Sequence, residues 1–104
     1  MDDANQIEVP PSFTALFTSP SGRLTESMSA VRERYELCED LAQMLTEQAS
    51  TLQFRTGAPE IELLRTIRIG LSEAGGPVTP SEAGWVVTRL AELLNWEAPG
   101  PDSA

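Results

Sequence analysis

The most regular pattern of apolar residues runs through the middle of the chain. From about Ser27 or Ser29 to Phe54, apolar side chains recur at alternating spacings of four and three residues: Val31, Tyr35, Cys38, Ala42, Leu45, Ala49 and Leu52. This heptad spacing is typical of a helix that packs along one seam. The seam is widened into the apolar face of a bundle helix by Leu37, Leu41 and Met44. We predict about 25 residues of helix, closed by Gly57 in a left-handed conformation.

Prolines mark the starts of two further helices. Residues 10–12 (Pro-Pro-Ser) precede an apolar i, i+3, i+4 pattern that begins at Phe13, which predicts a short helix of one or two turns. Another apolar pattern begins near Pro59 and reaches about Ala74, where two glycines and a proline follow. We therefore predict one short helix before the long one and a medium helix after it.

The last helix has the best-defined start. Thr79, Pro80 and Glu82 fit a capping box, in which threonine accepts from a free amide, proline takes the first helical position and glutamate reaches back. An apolar face follows and ends near Trp96: Ala83, Val86, Val87, Leu90, Ala91 and Leu94. No alternating strand pattern and no internal repeat is present in the sequence.

These patterns predict an all-α fold, a compact helical bundle of one short, one long and two medium helices. We expect a mobile N-terminal segment at residues 1–9, a single helical domain at residues 10–96 and a disordered tail at residues 97–104. The predicted core consists of Tyr35, Cys38, Leu41, Leu45, Leu52, Leu64, Ile67, Val86, Leu90 and Leu94.

The charge balance makes nucleic acid and anionic membranes unfavourable partners. Acidic residues outnumber basic ones by 16 to 7, which gives a net charge of −9, and every basic residue is arginine. Arginine without lysine is typical of a GC-rich bacterial genome. The single cysteine rules out an internal disulfide, and the sequence holds neither a signal-peptide pattern nor an apolar run of about 18 residues. We expect a cytoplasmic protein.

Catalytic chemistry lacks its usual residues. Histidine and lysine are both absent, so histidine bases, histidine metal ligands and the phosphate-binding lysine of a P-loop are excluded. Cys38 has three acidic neighbours in sequence, which disfavour a thiolate, and we expect it to pack in the core. We predict no enzyme, no cofactor and no metal site, with carboxylate-only glycoside hydrolysis as the remaining enzymatic alternative.

Two groups of residues are candidate interaction surfaces. On the long helix, five residues that include four carboxylates fall within about 80° of one another: Glu33, Glu36, Asp40, Gln43 and Glu47. They form either a solvated face or a docking stripe for a basic partner. On the last helix, a helical projection puts Trp85 and Trp96 opposite the apolar face, where they flank Arg89 and Glu92. The alternative is that the tryptophans pack inside the fold, with Trp96 beneath the N-terminal segment.

Three segments of the chain resemble a known group of proteins. They are residues 7–13 (Ile-Glu-Val-Pro-Pro-Ser-Phe), residues 34–42 (Arg-Tyr-Glu-Leu-Cys-Glu-Asp-Leu-Ala) and residues 84–94 (Gly-Trp-Val-Val-Thr-Arg-Leu-Ala-Glu-Leu-Leu). In these three segments the chain resembles small proteobacterial proteins that are often labelled "ATPase with chaperone activity". The resemblance supplies no catalytic residue, and it implies a chaperone or an ATPase as partner.

The sequence thus favours an acidic protein-interaction module, an adaptor or regulator that binds another protein through its apolar seam and acidic stripe. A basic protein is one expected partner, and a second copy of the chain, bound through the long helix, is another. The alternative is a DNA-associated transcriptional regulator whose last two helices form a helix-turn-helix-like pair.

Overall fold

The computed structural model describes residues 8–98, and its regular elements there are helices. They are α1 (Pro11–Thr14), which continues as a 3-10 turn (Ala15–Phe17), α2 (Met28–Thr56), α3 (Glu60–Ser72) and α4 (Pro80–Leu94). The predicted all-α helical bundle of one short, one long and two medium helices is confirmed. The predicted mobile segment at residues 1–9 and disordered tail at residues 97–104 lie outside the described residues, except for two residues of each.

The described residues belong to two units, and the boundary between Leu37 and Cys38 falls within α2. In the first unit, the Phe13 ring is fully buried and its centroid lies 5.5 Å from that of Phe17 and 5.6 Å from that of Tyr35. Such aromatic pairs stabilise a small core beyond their buried area. The short proline-led helix thus supplies the centre of this unit.

Local hydrogen bonds set both ends of α2. The Ser27 hydroxyl accepts from the amide of Ala30 at 3.1 Å, and Gly57 ends the helix with a φ of 68°. This positive φ confirms the predicted left-handed glycine. Glycine suits the position because residues with a Cβ rarely adopt this conformation. The helix has 29 residues, slightly more than predicted.

In the second unit, α3 and α4 pack against one side of α2. The buried cluster consists of Ala49, Leu64, Val87, Leu90 and Ala91. Around it pack the partly buried side chains of Leu45, Ile67, Leu71, Leu94, Trp96 and Ala98. The α2 residue in the buried cluster is Ala49, and the larger buried side chains, Leu64, Val87 and Leu90, come from α3 and α4.

The predicted core is largely correct, with one error. Four of its residues are fully buried: Cys38, Leu64, Val86 and Leu90. Five more are half-buried: Tyr35, Leu41, Leu45, Ile67 and Leu94. Leu52 is 39% exposed, and its assignment to the core is wrong. A straight helix drifts by about 20° per heptad, so three heptads after Val31 the repeat has turned Leu52 away from the buried side.

Both ends of α4 are fixed by hydrogen bonds. The Thr79 hydroxyl accepts from the Glu82 amide at 3.2 Å, and a Glu82 carboxylate oxygen accepts from the Thr79 amide at 2.9 Å, which confirms the capping box. The helix ends at Leu94, because Asn95 adopts a left-handed conformation with a φ of 64° and the Trp96 amide donates to the carbonyl of Ala91. Asparagine tolerates this conformation better than most residues.

Truncating the fully buried Leu90 to alanine should lower the free energy of unfolding by about 2 to 5 kcal/mol, because it removes apolar contacts and leaves a cavity. Met44→Ala is the control, since this side chain is 72% exposed and its loss should cost less than about 0.5 kcal/mol. Urea denaturation measures both. A change near zero for Leu90→Ala would refute the assignment of the core.

Two glycines should respond to alanine in opposite directions. A Cβ at Gly76 would lie 2.8 Å from the carbonyl oxygen of Leu71 and 2.9 Å from that of Glu73, so Gly76→Ala should destabilise the fold by about 1 to 3 kcal/mol. At Gly70, inside α3, a Cβ meets nothing within 4 Å, and Gly70→Ala should stabilise by about 0.5 to 1 kcal/mol. Thermal unfolding distinguishes the two signs.

Candidate functional site

Arg89 forms ion pairs with two carboxylates of the second unit. From α4 its Nε donates to Oε1 of Glu39 on α2 at 2.9 Å, and its Nη2 donates to the Oε2 of the same carboxylate at 3.1 Å. Its Nη1 donates to Oε1 of Glu92, one turn along α4, at 3.1 Å. Two-pronged pairing of this kind fixes orientation as well as distance. Arg89 and Glu92, two of the predicted interface residues, therefore take part in ion pairs within the chain.

The Arg89–Glu39 pair shifts the protonation of both groups. Hydrogen bonds from Arg89 hold the pKa of Glu39 below its ordinary value, and the same bonds raise the pKa of Arg89. Partial burial acts in the opposite direction on each group, because it disfavours the charged form. The pair joins residues 50 positions apart in the sequence. Glu39 was not among the predicted site residues, because no local pattern indicates which carboxylate an arginine on another helix will meet.

The structure separates the two tryptophans. Trp85 lies on α4 and is partly buried. The helical projection of Trp96 is wrong, because α4 ends at Leu94 and the left-handed Asn95 redirects the chain. The indole of Trp96 packs against the cluster around Leu90, so its packing partners lie inside the fold. A role for Trp85 at an interface stays a prediction.

The four carboxylates of the predicted stripe are exposed. Glu33 and Glu36 lie on the part of α2 that belongs to the first unit, and Asp40 and Glu47 lie on the part that belongs to the second. The prediction that α2 turns them towards solvent is confirmed. The exposed apolar residues beside Asp40 and Glu47 are the features that favour binding of a partner.

Large apolar side chains accompany the carboxylates of the second unit. Met44 is 72% exposed and Phe54 is 88% exposed. They belong to a line of exposed residues at spacings of four and three, which we call the outer row: Asp40, Met44, Glu47, Thr51 and Phe54. At 100° per residue, the row is centred about 180° from the buried Cys38, Ala42 and Ala49.

The outer row corrects one prediction and adds a residue to the site. Met44 was expected to widen the packing face of α2, but it faces solvent, and Leu37 in the first unit is also exposed, at 37%. Phe54 was taken as the end of the apolar pattern and not as a surface residue. On a helical projection, Met44 and Phe54 lie opposite the buried alanines of the seam, and that is the signal that could have found them.

Metal and membrane sites are not evident in the described part of the chain. Between residues 8 and 98, no three histidine, cysteine or acidic side chains are grouped so as to hold a metal ion. No helix in the same range combines the length and apolar character that a bilayer span needs. Cys38 is fully buried, as predicted.

Glu39→Gln should destabilise the protein in a pH-dependent way. The lowered pKa of Glu39 means that its ion pair adds stability above the ordinary pKa of glutamate, near 4.3, and that this stability is lost as the pH falls through the folded-state value. We expect the substitution to cost about 1 kcal/mol at pH 7 and much less at pH 3. Urea denaturation at the two pH values measures this.

Glu47→Gln is the matched control, because it removes an exposed carboxylate from the same helix. It should change the free energy of unfolding by less than half as much as Glu39→Gln at pH 7. Equal effects of Glu39→Gln at pH 7 and pH 3 would contradict a stabilising ion pair.

No family model matches the chain, and no curated protein and no solved structure is similar to it. The resemblance to the proteobacterial group labelled "ATPase with chaperone activity" therefore stays a prediction, as does the chaperone or ATPase partner that it implies. The outer row and the Arg89 ion pairs are the features on which a functional proposal can be based.

Proposed function

We propose that this chain is a cytoplasmic protein-interaction module, an adaptor or regulator that binds a partner protein through the outer row of α2. The observation that carries the proposal is the exposure of Met44 and Phe54, at 72% and 88%. Single exposed apolar residues are common on protein surfaces. Here two large ones share a row with heptad spacing, on a helix of 29 residues.

Burial of the row would release substantial free energy. Full burial of a methionine or a phenylalanine side chain contributes about 1.5 to 3 kcal/mol. Aromatic residues and methionine are also enriched at the centres of protein interfaces. The two side chains therefore supply apolar anchors, and the carboxylates beside them supply a polar rim.

The partner classes expected from the sequence fit this surface to different degrees. A basic protein, including a chaperone or an ATPase with a basic segment, complements the acidic residues of the row. Self-association through α2 is a second possibility for the same surface. The DNA-binding alternative gains no support from α4, whose exposed Ser81, Thr88 and Glu92 offer no cation to a phosphate, while Arg89 is held by Glu39.

The double variant Met44→Ser, Phe54→Ser tests the proposal, because it removes both apolar anchors from exposed positions and should leave the fold intact. Ile69→Ser is the matched control, since Ile69 is 65% exposed but lies on α3. Each tagged protein is used as bait in an extract of the source cells. We expect partners retained by the wild type and by Ile69→Ser to be depleted at least about tenfold with the double variant.

Identical sets of retained proteins for all three baits would contradict the proposal. Light scattering of the wild type and the double variant across micromolar concentrations tests the second copy as partner. A mass that falls to that of a monomer only in the double variant would identify self-association through the row.

A further inference from the structure

The charges on the outer row are of one sign. Asp40 and Glu47 belong to the row, and both are exposed. The neighbouring carboxylate, Glu39, is already paired with Arg89. Between residues 38 and 56, Arg55 is the single basic residue, and it lies in the last turn of α2, beyond the row. Whatever covers Met44 and Phe54 therefore comes close to two carboxylates.

The shape of the surface is linear. From Asp40 to Phe54 the helix rises about 21 Å, at 1.5 Å per residue. Spacings of four and three keep the five residues in one line, which is the arrangement that a second helix lying alongside α2 contacts. The apolar anchors Met44 and Phe54 are ten residues apart, about 15 Å along the axis, so a helix that covers both must contact α2 over about three turns.

We infer that the outer row binds an amphipathic helix of another protein, one that carries lysine or arginine beside its apolar residues. This inference rests on the proposed function, and it adds the chemistry of the partner. The apolar residues of that helix cover Met44 and Phe54, and its cations pair with Asp40 and Glu47.

A second copy of the chain fits the row less well. In a parallel pair of α2 helices, each carboxylate of the row faces its own counterpart. In an antiparallel pair centred on the row, Glu47 faces Glu47 of the other copy. The parallel arrangement brings like charges together at both carboxylates and the antiparallel one does so at Glu47, and like charges at close range are unfavourable. A net charge of −9 on each copy adds to the repulsion.

Two synthetic peptides of three heptads test the inference. Both carry a stripe of leucines, flanked by lysines in one peptide and by glutamates in the other. Each is labelled with fluorescein, and binding to the full-length protein is followed by fluorescence anisotropy. We expect the lysine peptide to bind at least about tenfold more tightly than the glutamate peptide, and its affinity to fall about tenfold between 50 and 500 mM salt.

Charge reversal on the row is the decisive comparison. Asp40→Arg, Glu47→Arg should abolish the preference for the lysine peptide and give measurable binding of the glutamate peptide. Glu73→Arg, Glu97→Arg is the matched control, because it changes the net charge by the same amount at exposed positions outside α2. The control should keep the preference for the lysine peptide.

Three results would overturn the inference. They are equal binding of the two peptides, a loss of preference that is the same in both charge-reversed variants, and no binding of either peptide. Retention of cellular partners that depends on Met44 and Phe54 is measured separately. If that retention persists while the lysine peptide does not bind, the row is an interface for another kind of partner, and the proposed function stands without this inference.

Discussion

The packing of α3 and α4 against the side of α2 that carries Ala49 is the constraint on which the rest of the second unit depends. Ala49 of α2 is buried together with Leu64 of α3 and Leu90 of α4, so both helices cover this side of α2. A helix buried on one side has a fixed rotation about its axis. The residues about 180° from that side must face water, whatever their polarity. The outer row is therefore a consequence of how the opposite side packs.

The Arg89–Glu39 pair adds direction to this packing. Apolar contacts are largely non-directional, whereas a guanidinium that donates two hydrogen bonds to one carboxylate fixes how α4 lies on α2. The same pair withdraws Arg89 and Glu39 from the charges available to a partner. What the second unit offers on α2 is then acidic and apolar, with Arg55 at its far end. This combination is the basis for a basic amphipathic partner.

Position along the chain proved a poor guide to which aromatic residues are exposed. Trp96, which a helical projection placed on a surface, packs in the core, whereas Phe54, which closes an apolar pattern, is 88% exposed. Both outcomes depend on where a helix stops. The helix α4 ends at Leu94, two residues before Trp96, and α2 continues to Thr56 beyond the end of its buried seam.

The sequence by itself determined the features that depend on neighbouring residues. The capping box at Thr79, the left-handed Gly57 and the length of α2 follow from hydrogen bonds and backbone preferences within a few residues, so local patterns predict them. Tertiary structure alone decided that Met44 faces water, that the partly buried Trp96 packs against the core and that Arg89 pairs with Glu39 rather than with a partner. These outcomes require knowing which helices meet and at what rotation, and that information is carried by contacts between distant residues, such as Glu39 and Arg89, 50 positions apart.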